Sequence, residues 1–178
     1  MSREIFGDYK RTERRERTRV TLFLRPEHPV SKGLYKAEQM LGGSFPEHVR
    51  EIRVKPDLVR RSFPEEGVVC GRCFWRDNGT SKIEIYAGSI LMLDGGFENS
   101  DYESCMTVLH EVGHSWQNKD YVDMGWYESG ASKFWYEEDA ERFVNQAVRK
   151  SSDYEFTEAD HELQRRLRVA MEKAEAGR

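Results

Sequence analysis

The chain has little cysteine and no long apolar run, and both shortages narrow the class of protein it can be. Three cysteines are an odd number, so the sequence does not encode a framework of disulfide bonds. No stretch is long and apolar enough to span a bilayer, and the charged residues 1–19 lack the apolar core of a signal peptide. The sequence therefore predicts a cytoplasmic protein with no membrane partner.

The chain also has no strong excess of charge of one sign. The formal net charge is -4, so the chain as a whole has no nucleic-acid signature. Its most basic stretch, Lys10–Arg19, is interrupted by Glu13 and Glu16, which weakens any phosphate-binding role. We interpret residues 1–18 as a charged, solvated arm and expect no nucleic-acid partner. A DNA-associated factor acting through this arm is the weaker hypothesis.

The two cysteines that lie close together, Cys70 and Cys73, form a C-x-x-C sequence. A zinc ribbon would need a second such pair, and Cys105 is the single cysteine left. A thioredoxin-like motif would open a helix, whereas Phe74 and Trp75 continue this segment as an aromatic strand. We interpret Cys70 and Cys73 as two thiols in a strand or turn.

The pattern of apolar residues predicts strands first and helices afterwards, which is typical of an α+β domain. A hairpin is the clearest element, because Asn78-Gly79 separates two β-rich runs. The predicted strands are Arg19–Leu24, Val49–Val54, Val68–Arg76 and Ser81–Tyr86. The predicted helices are Ser31–Leu41, Asp101–Trp116, Lys133–Lys150 and Glu158–Ala174. We predict a single domain over residues 1–178, with a sheet subdomain at 19–99 and a helical subdomain at 100–178.

The sequence His110-Glu111-Val112-Gly113-His114 is the motif that carries chemistry. Two histidines four residues apart lie on one face of a helix, so both rings can reach one metal ion. Zinc accepts imidazole nitrogens, and a catalytic zinc site has a third protein ligand and one position for water. Glu111 lies about 100° further round the helix, where it can take the proton of that water.

The rest of this helix argues against a purely structural role for the histidines. An apolar stripe at helical spacing occupies the core face, so the histidines lie on the opposite side. Two solvated surface histidines remain the competing interpretation. The stripe consists of Cys105, Val108, Leu109, Val112 and Trp116.

The third metal ligand has more than one candidate. In the metzincin pattern, which continues as H-x-x-G-x-x-H, the third ligand would fall at Asp120 and Met124 could belong to a Met-turn. Gln117, however, occupies the position where that pattern needs glycine for a sharp exit from the helix. The better candidate lies on the next predicted helix, in Glu137-Glu138-Asp139-Ala140-Glu141.

In this segment the chain resembles the gluzincins, zinc peptidases with H-E-x-x-H on one helix and a glutamate ligand on a later one. Residues 137–141 match their E-x-x-[SA]-[DE] motif, and with Phe143 they also look like the E-x-x-A-x-x-F pattern of small zincins similar to the ImmA/IrrE group. The resemblance covers roughly residues 82–147, and its second half is short. It implies a minimal zincin-like domain, with a small, twisted, mostly antiparallel sheet and a backing helix above the active-site helix and a glutamate helix.

The resemblance also assigns roles to individual residues. It implies that His110, His114 and Glu137 bind Zn²⁺, that Glu111 is the general base, and that Glu141 orients a ligand histidine. It further implies that an edge strand, which we place at Lys82–Tyr86, pairs with a peptide substrate. The residue that stabilises the oxyanion is not assigned. Eligible side chains are Tyr121, Tyr127, Tyr136 and His161.

A helical wheel separates the neighbouring glutamates of the second helix. Glu137 borders the apolar face, whereas Glu138 is turned toward solvent and meets Arg142 at i+4. Glu138 therefore remains an alternative third ligand with an ordinary explanation as a surface ion pair.

The sequence as a whole predicts a zinc-dependent metallopeptidase that hydrolyses peptide or protein substrates. The alternative is a non-catalytic or regulatory module with a zincin fold. The presence of Glu111 beside the first histidine favours the enzyme, because a structural metal site has no need for a base there.

Overall fold

The structure is a computed structural model that describes residues 9–60, 67–93, 99–123 and 133–151. The side chains of residues 120–123 and 133–136 lie outside that description. The elements in chain order are β1 (Arg11–Arg15), β2 (Thr18–Leu22), α1 (Pro29–Met40), β3 (Val49–Lys55), β4 (Gly71–Trp75), β5 (Ser81–Tyr86), α2 (Ala87–Leu93), α3 (Ser100–Asp123) and α4 (Lys133–Lys150).

The strands form a mixed sheet in the order β1-β2-β3-β5-β4. β1 pairs antiparallel with β2, and β4 pairs antiparallel with β5. β2 and β5 both run parallel to β3. α1 carries the chain back between β2 and β3, and β4 lies between β3 and β5 in the chain. The α+β class is confirmed. The sheet is not mostly antiparallel as expected, since its two central pairings are parallel.

The hairpin predicted around Asn78-Gly79 is confirmed. Gly79 has a φ of 72°, a left-handed conformation that glycine adopts without steric cost. The amide of Arg76 donates to the carbonyl of Thr80 at 3.1 Å, and the Asn78 side chain accepts from the Thr80 amide at 3.1 Å. The turn therefore joins β4 to β5 with its polar groups paired.

Two expectations about the edges of the sheet are wrong. Residues 11–15, expected in a solvated arm, form the edge strand β1, because Thr12 and Arg14 pair in register with Thr21 and Arg19. The strand at Lys82–Tyr86, expected at an edge, lies between β3 and β4. Among the described strands, the edges are therefore β1 and β4.

The inner face of the sheet packs against the helices through apolar residues that alternate along each strand. Val20, Ile52 and Ile83 of the three central strands have no exposed surface. α1 and α3 cross closely at Gly33, where a Cβ atom would lie 2.3 Å from the carbonyl oxygen of Asp101. Near this crossing, Ser104 donates to the carbonyl of Val30 at 2.7 Å.

The bounds of the helices mostly agree with those predicted from the sequence. α4 spans Lys133–Lys150 as predicted, α3 continues beyond Trp116 to Asp123, and α2 was not predicted. The predicted helix Glu158–Ala174 lies outside the described residues. Val144 of α4 shares one apolar core with the sheet, so this core joins the predicted sheet and helical subdomains. In the described part of the chain, no helix has the length and apolar character needed to cross a membrane.

Candidate metal centre

The two histidines of the motif lie one turn apart on the same face of α3. Their ring centroids are 4.6 Å apart, and the two Nε2 atoms are 3.0 Å apart. The predicted apolar stripe packs on the other side, with Val108, Leu109 and Val112 fully buried. Trp116 does not belong to the stripe, because 38% of its surface is exposed. The helix therefore presents both imidazoles away from the core.

The carboxylate of Glu137 on α4 completes the group. Its Oε2 lies 3.1 Å from Nε2 of His110 and 3.7 Å from Nε2 of His114, and the three ligand atoms all lie within 4.8 Å of one another. Tetrahedral zinc bonds of about 2.0–2.1 Å place ligand atoms roughly 3.3–3.5 Å apart. The separations between these side chains therefore fit a metal ion bound among them.

Hydrogen bonds on the far side of each ring determine which nitrogen faces the centre. Nδ1 of His110 lies 3.1 Å from Oε1 of Glu141, and Nδ1 of His114 lies 2.7 Å from Oε1 of Gln117. Both oxygens are acceptors, so each Nδ1 carries a proton and each Nε2 is the atom left to bind a metal. A neutral histidine with its proton on Nδ1 is the form that binds a metal through Nε2.

Gln117 contacts the candidate centre through His114 and was not among the residues predicted from the sequence. We considered Gln117 there only as a poor substitute for the glycine of the metzincin pattern. Its position three residues after His114 was the available signal, because residues at i and i+3 are neighbours on a helix surface.

The electrostatics of the centre favour a positive charge among the three side chains. Burial alone would lower the pKa of His110, but hydrogen bonds with Glu137 and Glu141 raise it to about 10. The hydrogen bonds with His110 and His114 hold the pKa of Glu137 well below its usual range. A metal cation would supply the same sign of charge at the same place.

Glu111 points toward β4 and is 6% exposed. A Cβ atom at Gly71 would lie 2.8 Å from its Cγ and Oε1 atoms, so glycine is needed there for the close approach. Burial raises the pKa of Glu111, while the charges of His110 and His114 and a hydrogen bond from the Cys73 amide lower it. A general base requires a carboxylate whose pKa is moved toward neutrality in this way.

The edge strand beside Glu111 is β4. The Tyr86 amide donates to the Cys70 carbonyl at 2.8 Å, so Cys70 faces β5. Because successive residues of a strand alternate in direction, the amides of Gly71 and Cys73 face away from β5. No strand lies beyond β4 in the described ranges. The strand next to the candidate centre is therefore β4 and not the predicted Lys82–Tyr86.

Buried polar contacts fasten α3 to the sheet just beyond the motif. The fully buried Asn118 donates to the carbonyl of Thr80 at 3.1 Å and to the hydroxyl of Ser81 at 3.2 Å. Nε2 of His48 lies 3.0 Å from the hydroxyl of Ser115. These contacts hold the histidines of α3 in position relative to the β4–β5 hairpin.

The other candidate residues do not join this group in the part of the structure that is described. Glu138 pairs with Arg142 at 2.8 Å, and both side chains are exposed, as the helical wheel predicted. The backbone of Asp120 lies in α3, and its side chain lies outside the described residues, as do those of Tyr121 and Tyr136. Tyr127 and His161 also lie outside them.

Neither cysteine of the C-x-x-C sequence forms a disulfide bond. Burial raises the pKa of the Cys73 thiol to about 12, against hydrogen bonds with Ser81 and Trp75 that lower it. Cys73 is therefore a protonated thiol, and Cys70 and Cys73 both pack beside the apolar core. This agrees with their interpretation as structural thiols.

Comparison with known proteins adds no relative to this description. A scan of protein-family models, a search of curated proteins and a search of solved structures found no match to this chain. The resemblance to the gluzincins therefore rests on the residues of the two motifs, and the function has to be argued from the geometry of the site.

Proposed function

We propose that this chain is a zinc-dependent metallopeptidase of the gluzincin type. The observation that carries the proposal is the group formed by His110, His114 and Glu137, whose ligand atoms lie within 4.8 Å of one another. Two separate helices supply this group, and each histidine is oriented by a further side chain. Two histidines that merely lay on the surface would not be expected to have both a carboxylate from a second helix and a partner on each Nδ1.

The ligand set of the proposed centre is His110, His114 and Glu137, with Glu141 and Gln117 fixing the ring orientations. Three protein ligands leave one position open, which is typical of catalytic zinc. When bound, zinc would supply a water molecule of lowered pKa and polarise the carbonyl of the scissile bond. The two histidines must be neutral to bind it, so each would release its Nε2 proton on binding, while the hydrogen bonds to Glu141 and Gln117 keep the remaining proton on Nδ1.

Glu111 has the role of proton carrier in this proposal. Its carboxylate is buried beside the two histidines, and its pKa is raised by that burial. It can accept the proton of the attacking water and return it to the leaving amine. A merely structural metal site would need neither a buried base nor the glycine that admits this base beneath β4.

The substrate in this proposal is a peptide that pairs with the outer edge of β4. The amides of Gly71 and Cys73 face that edge, so an extended peptide can add to the sheet there through main-chain hydrogen bonds. The Cys73 amide donates to Glu111 in the free protein. A paired substrate would take over this donor and release the carboxylate for proton transfer.

The test is metal content and proteolysis of the purified chain. We expect about one zinc per chain, lost in His110→Ala and His114→Ala, and cleavage of an unstructured protein such as casein. Glu111→Gln should keep its zinc and lose activity by about 10²–10⁴-fold. Zinc that persists in both histidine variants would contradict the metal assignment, and a fully active Glu111→Gln would contradict the role of the base.

A second arm of the experiment tests the position of the substrate. Cys73→Pro removes an outward-facing donor without removing a hydrogen bond to β5. In the Glu111→Gln background this variant should lose peptide affinity and keep its zinc. Unchanged peptide affinity would refute pairing at β4, whereas a zinc-bound Glu111→Gln with no peptide affinity would favour the non-catalytic module.

A further inference from the structure

The outer face of the sheet, turned away from the apolar core, concentrates the positive charge of the chain. Side chains alternate between the two faces along each strand, and the pairing register places six basic residues and two carboxylates on the outer face. This is an excess of four positive charges on a chain of net charge -4. The basic residues are Arg14, Arg19, Arg53, Lys55, Arg72 and Lys82.

The two carboxylates of this face lie beneath the basic side chains. Glu51 and Glu84 are each 5% exposed. Glu51 accepts from Arg53 at 2.8 Å and from Arg19 at 3.2 Å, and Glu84 pairs with lysines on β3 and β5. The Arg19 side chain is 61% exposed, so a molecule approaching the face meets cations first. Each carboxylate pairs with two cations, so each group of three keeps a net charge of +1.

One pair of cations lies in direct cross-strand register, and only Arg19 of the pair contacts a carboxylate of this face, Glu51. Arg14 of β1 lies directly opposite Arg19 of β2, and like charges in direct cross-strand positions are destabilising. A bound anion would remove this repulsion. Arg72 on the opposite edge strand is also exposed. The cations therefore extend across the sheet from β1 to β4 and are not gathered in one small pocket.

Aromatic rings accompany the cations at both ends of the face. Phe74 on β4 is 39% exposed, and Nζ of Lys82 lies 5.0 Å from its ring centroid. Nζ of Lys10 lies 5.8 Å from the ring of Phe23. Lys10 and Phe23 line a depression of about 220 Å³ in this face, together with Arg53. Each end of the face thus combines a ring with a cation, and the ring is exposed at Phe74 and partly buried at Phe23.

We propose that this outer face binds single-stranded nucleic acid. Exposed cations match the phosphates, and aromatic rings offer stacking surfaces for bases, a combination typical of single-strand binding. Five strands at about 4.8 Å spacing give roughly 19 Å between the outer strands. Four-stranded sheets of RNA-binding modules stack two or three bases across a similar surface.

Two other polyanions fit the face less well. The major groove of a DNA duplex admits a helix or a two-stranded ribbon, and this broad sheet is neither. An acidic peptide would use the cations but not the exposed ring of Phe74. The outer face also lies on the opposite side of the sheet from α3, so this proposal does not depend on the proposed peptidase activity.

The test is fluorescence anisotropy of the full chain with labelled dT15 and rU15 oligonucleotides and a 15-base-pair duplex. We expect tighter binding of the single strands, weakening as salt rises. Arg14→Gln/Arg19→Gln/Arg72→Gln should lower the slope of log affinity against log salt by about 2, since each phosphate contact contributes about 0.7. The matched control is Lys32→Gln/Arg149→Gln/Lys150→Gln, which removes the same charge from exposed positions on α1 and α4.

Phe74→Leu tests the stacking component, because it keeps an apolar side chain and removes the ring. We expect a loss of at least about fivefold in single-strand affinity, with an unchanged circular dichroism spectrum and melting temperature. No binding at 50 mM salt, or an equal loss in both triple variants, would overturn the proposal. Equal competition by heparin and oligonucleotide together with a silent Phe74→Leu would also overturn it, in favour of general polyanion binding.

Discussion

The two helices that supply the candidate centre are held in different ways. α3 is tied to its surroundings by buried polar contacts, from Ser104 at one end to Asn118 at the other. α4 contributes Glu137, whose side chain is 57% exposed, and it approaches α3 closely at Gly113 and Ala140. One half of the site is thus built into the fold, and the other half lies at its surface.

This difference suggests what the metal does for the fold. Glu137, which the helical wheel places at the border of the apolar face, has more than half of its side chain exposed. Its described partners are the two histidines. A metal ion bound by both helices would therefore hold α4 to α3, and disturbing either helix should affect zinc binding in a different way.

The largest effect should come from removing the contribution of α4. Glu137→Ala should weaken zinc binding by more than about 100-fold, since changing even the outer partners of metal ligands costs 10–100-fold, and should abolish peptidase activity. Equilibrium zinc titration against a competing chelator measures the first effect.

Glu138→Ala is the matched control on the neighbouring residue. It removes a surface ion pair with Arg142, which is worth about 0.3–0.5 kcal/mol, and should leave zinc affinity unchanged. If Glu138→Ala has the larger effect, the ligand lies one residue further along. If both variants are silent, Asp120 becomes the candidate third ligand and the metzincin-like interpretation returns.

The sequence predicted the helix geometry of the α3 half of the candidate site, because its signals are local. Helical spacing placed His110 and His114 on one face, and the apolar stripe identified the core face correctly except at Trp116. Glu137 was found through a short resemblance and the helical wheel. Gln117 was missed because it was compared only with the glycine of the metzincin pattern. Its i+3 spacing from His114 was not considered.

The sheet was harder to predict because its pairings are not local. The Asn78-Gly79 turn determined the β4–β5 hairpin, but no sequence pattern indicated that β5 would pair in parallel with β3. As a result, the wrong strand was placed at the edge of the sheet. The basic outer face could not be predicted from the sequence either, because its cations come from all five strands and are brought together only by the non-local strand pairings. The net charge of the chain, -4, gave no indication of it.

The contacts that hold α3 should make the stability of the protein depend on pH through His48. Burial lowers the pKa of His48 to about 4, with Lys119 adding to the effect. The unfolded chain, with a pKa near 6.5, therefore binds a proton before the folded chain does. Stability due to His48 is complete above about pH 6.5 and falls as the pH drops toward 4, by up to about 3 kcal/mol.

Chemical denaturation of the wild type and His48→Gln between pH 4 and 7.5 measures this dependence. Gln keeps a donor for Ser115 but does not titrate, so the free energy of unfolding should vary less with pH in the variant over the window from 6.5 to 4. The difference between the two proteins isolates His48 from His28, whose pKa is also lowered by burial. If the free energy of unfolding varied with pH equally in both proteins, His48 would not contribute to holding α3 in the way proposed.

The smallest effect concerns the contact between the two helices and sets two physical terms against each other. Gly113→Ala should stabilise α3 as an isolated helix by about 1 kcal/mol, because alanine has the higher helix propensity. In the folded chain, however, the new Cβ would lie 3.0 Å from Cα and 3.3 Å from Cβ of Ala140, so α4 must shift by a few tenths of an ångström. We expect the two terms nearly to cancel in the melting temperature of the metal-free protein.

The shift of α4 in Gly113→Ala should still move Glu137 away from the two histidines and lower zinc affinity by about tenfold, because binding geometry is more sensitive than stability to such displacements. Ala140→Gly in the same chain removes the opposing Cβ and should restore part of that affinity. Gly113→Ala with unchanged zinc affinity would show that α4 is free to adjust, and that its position depends on the metal and not on the helix contact.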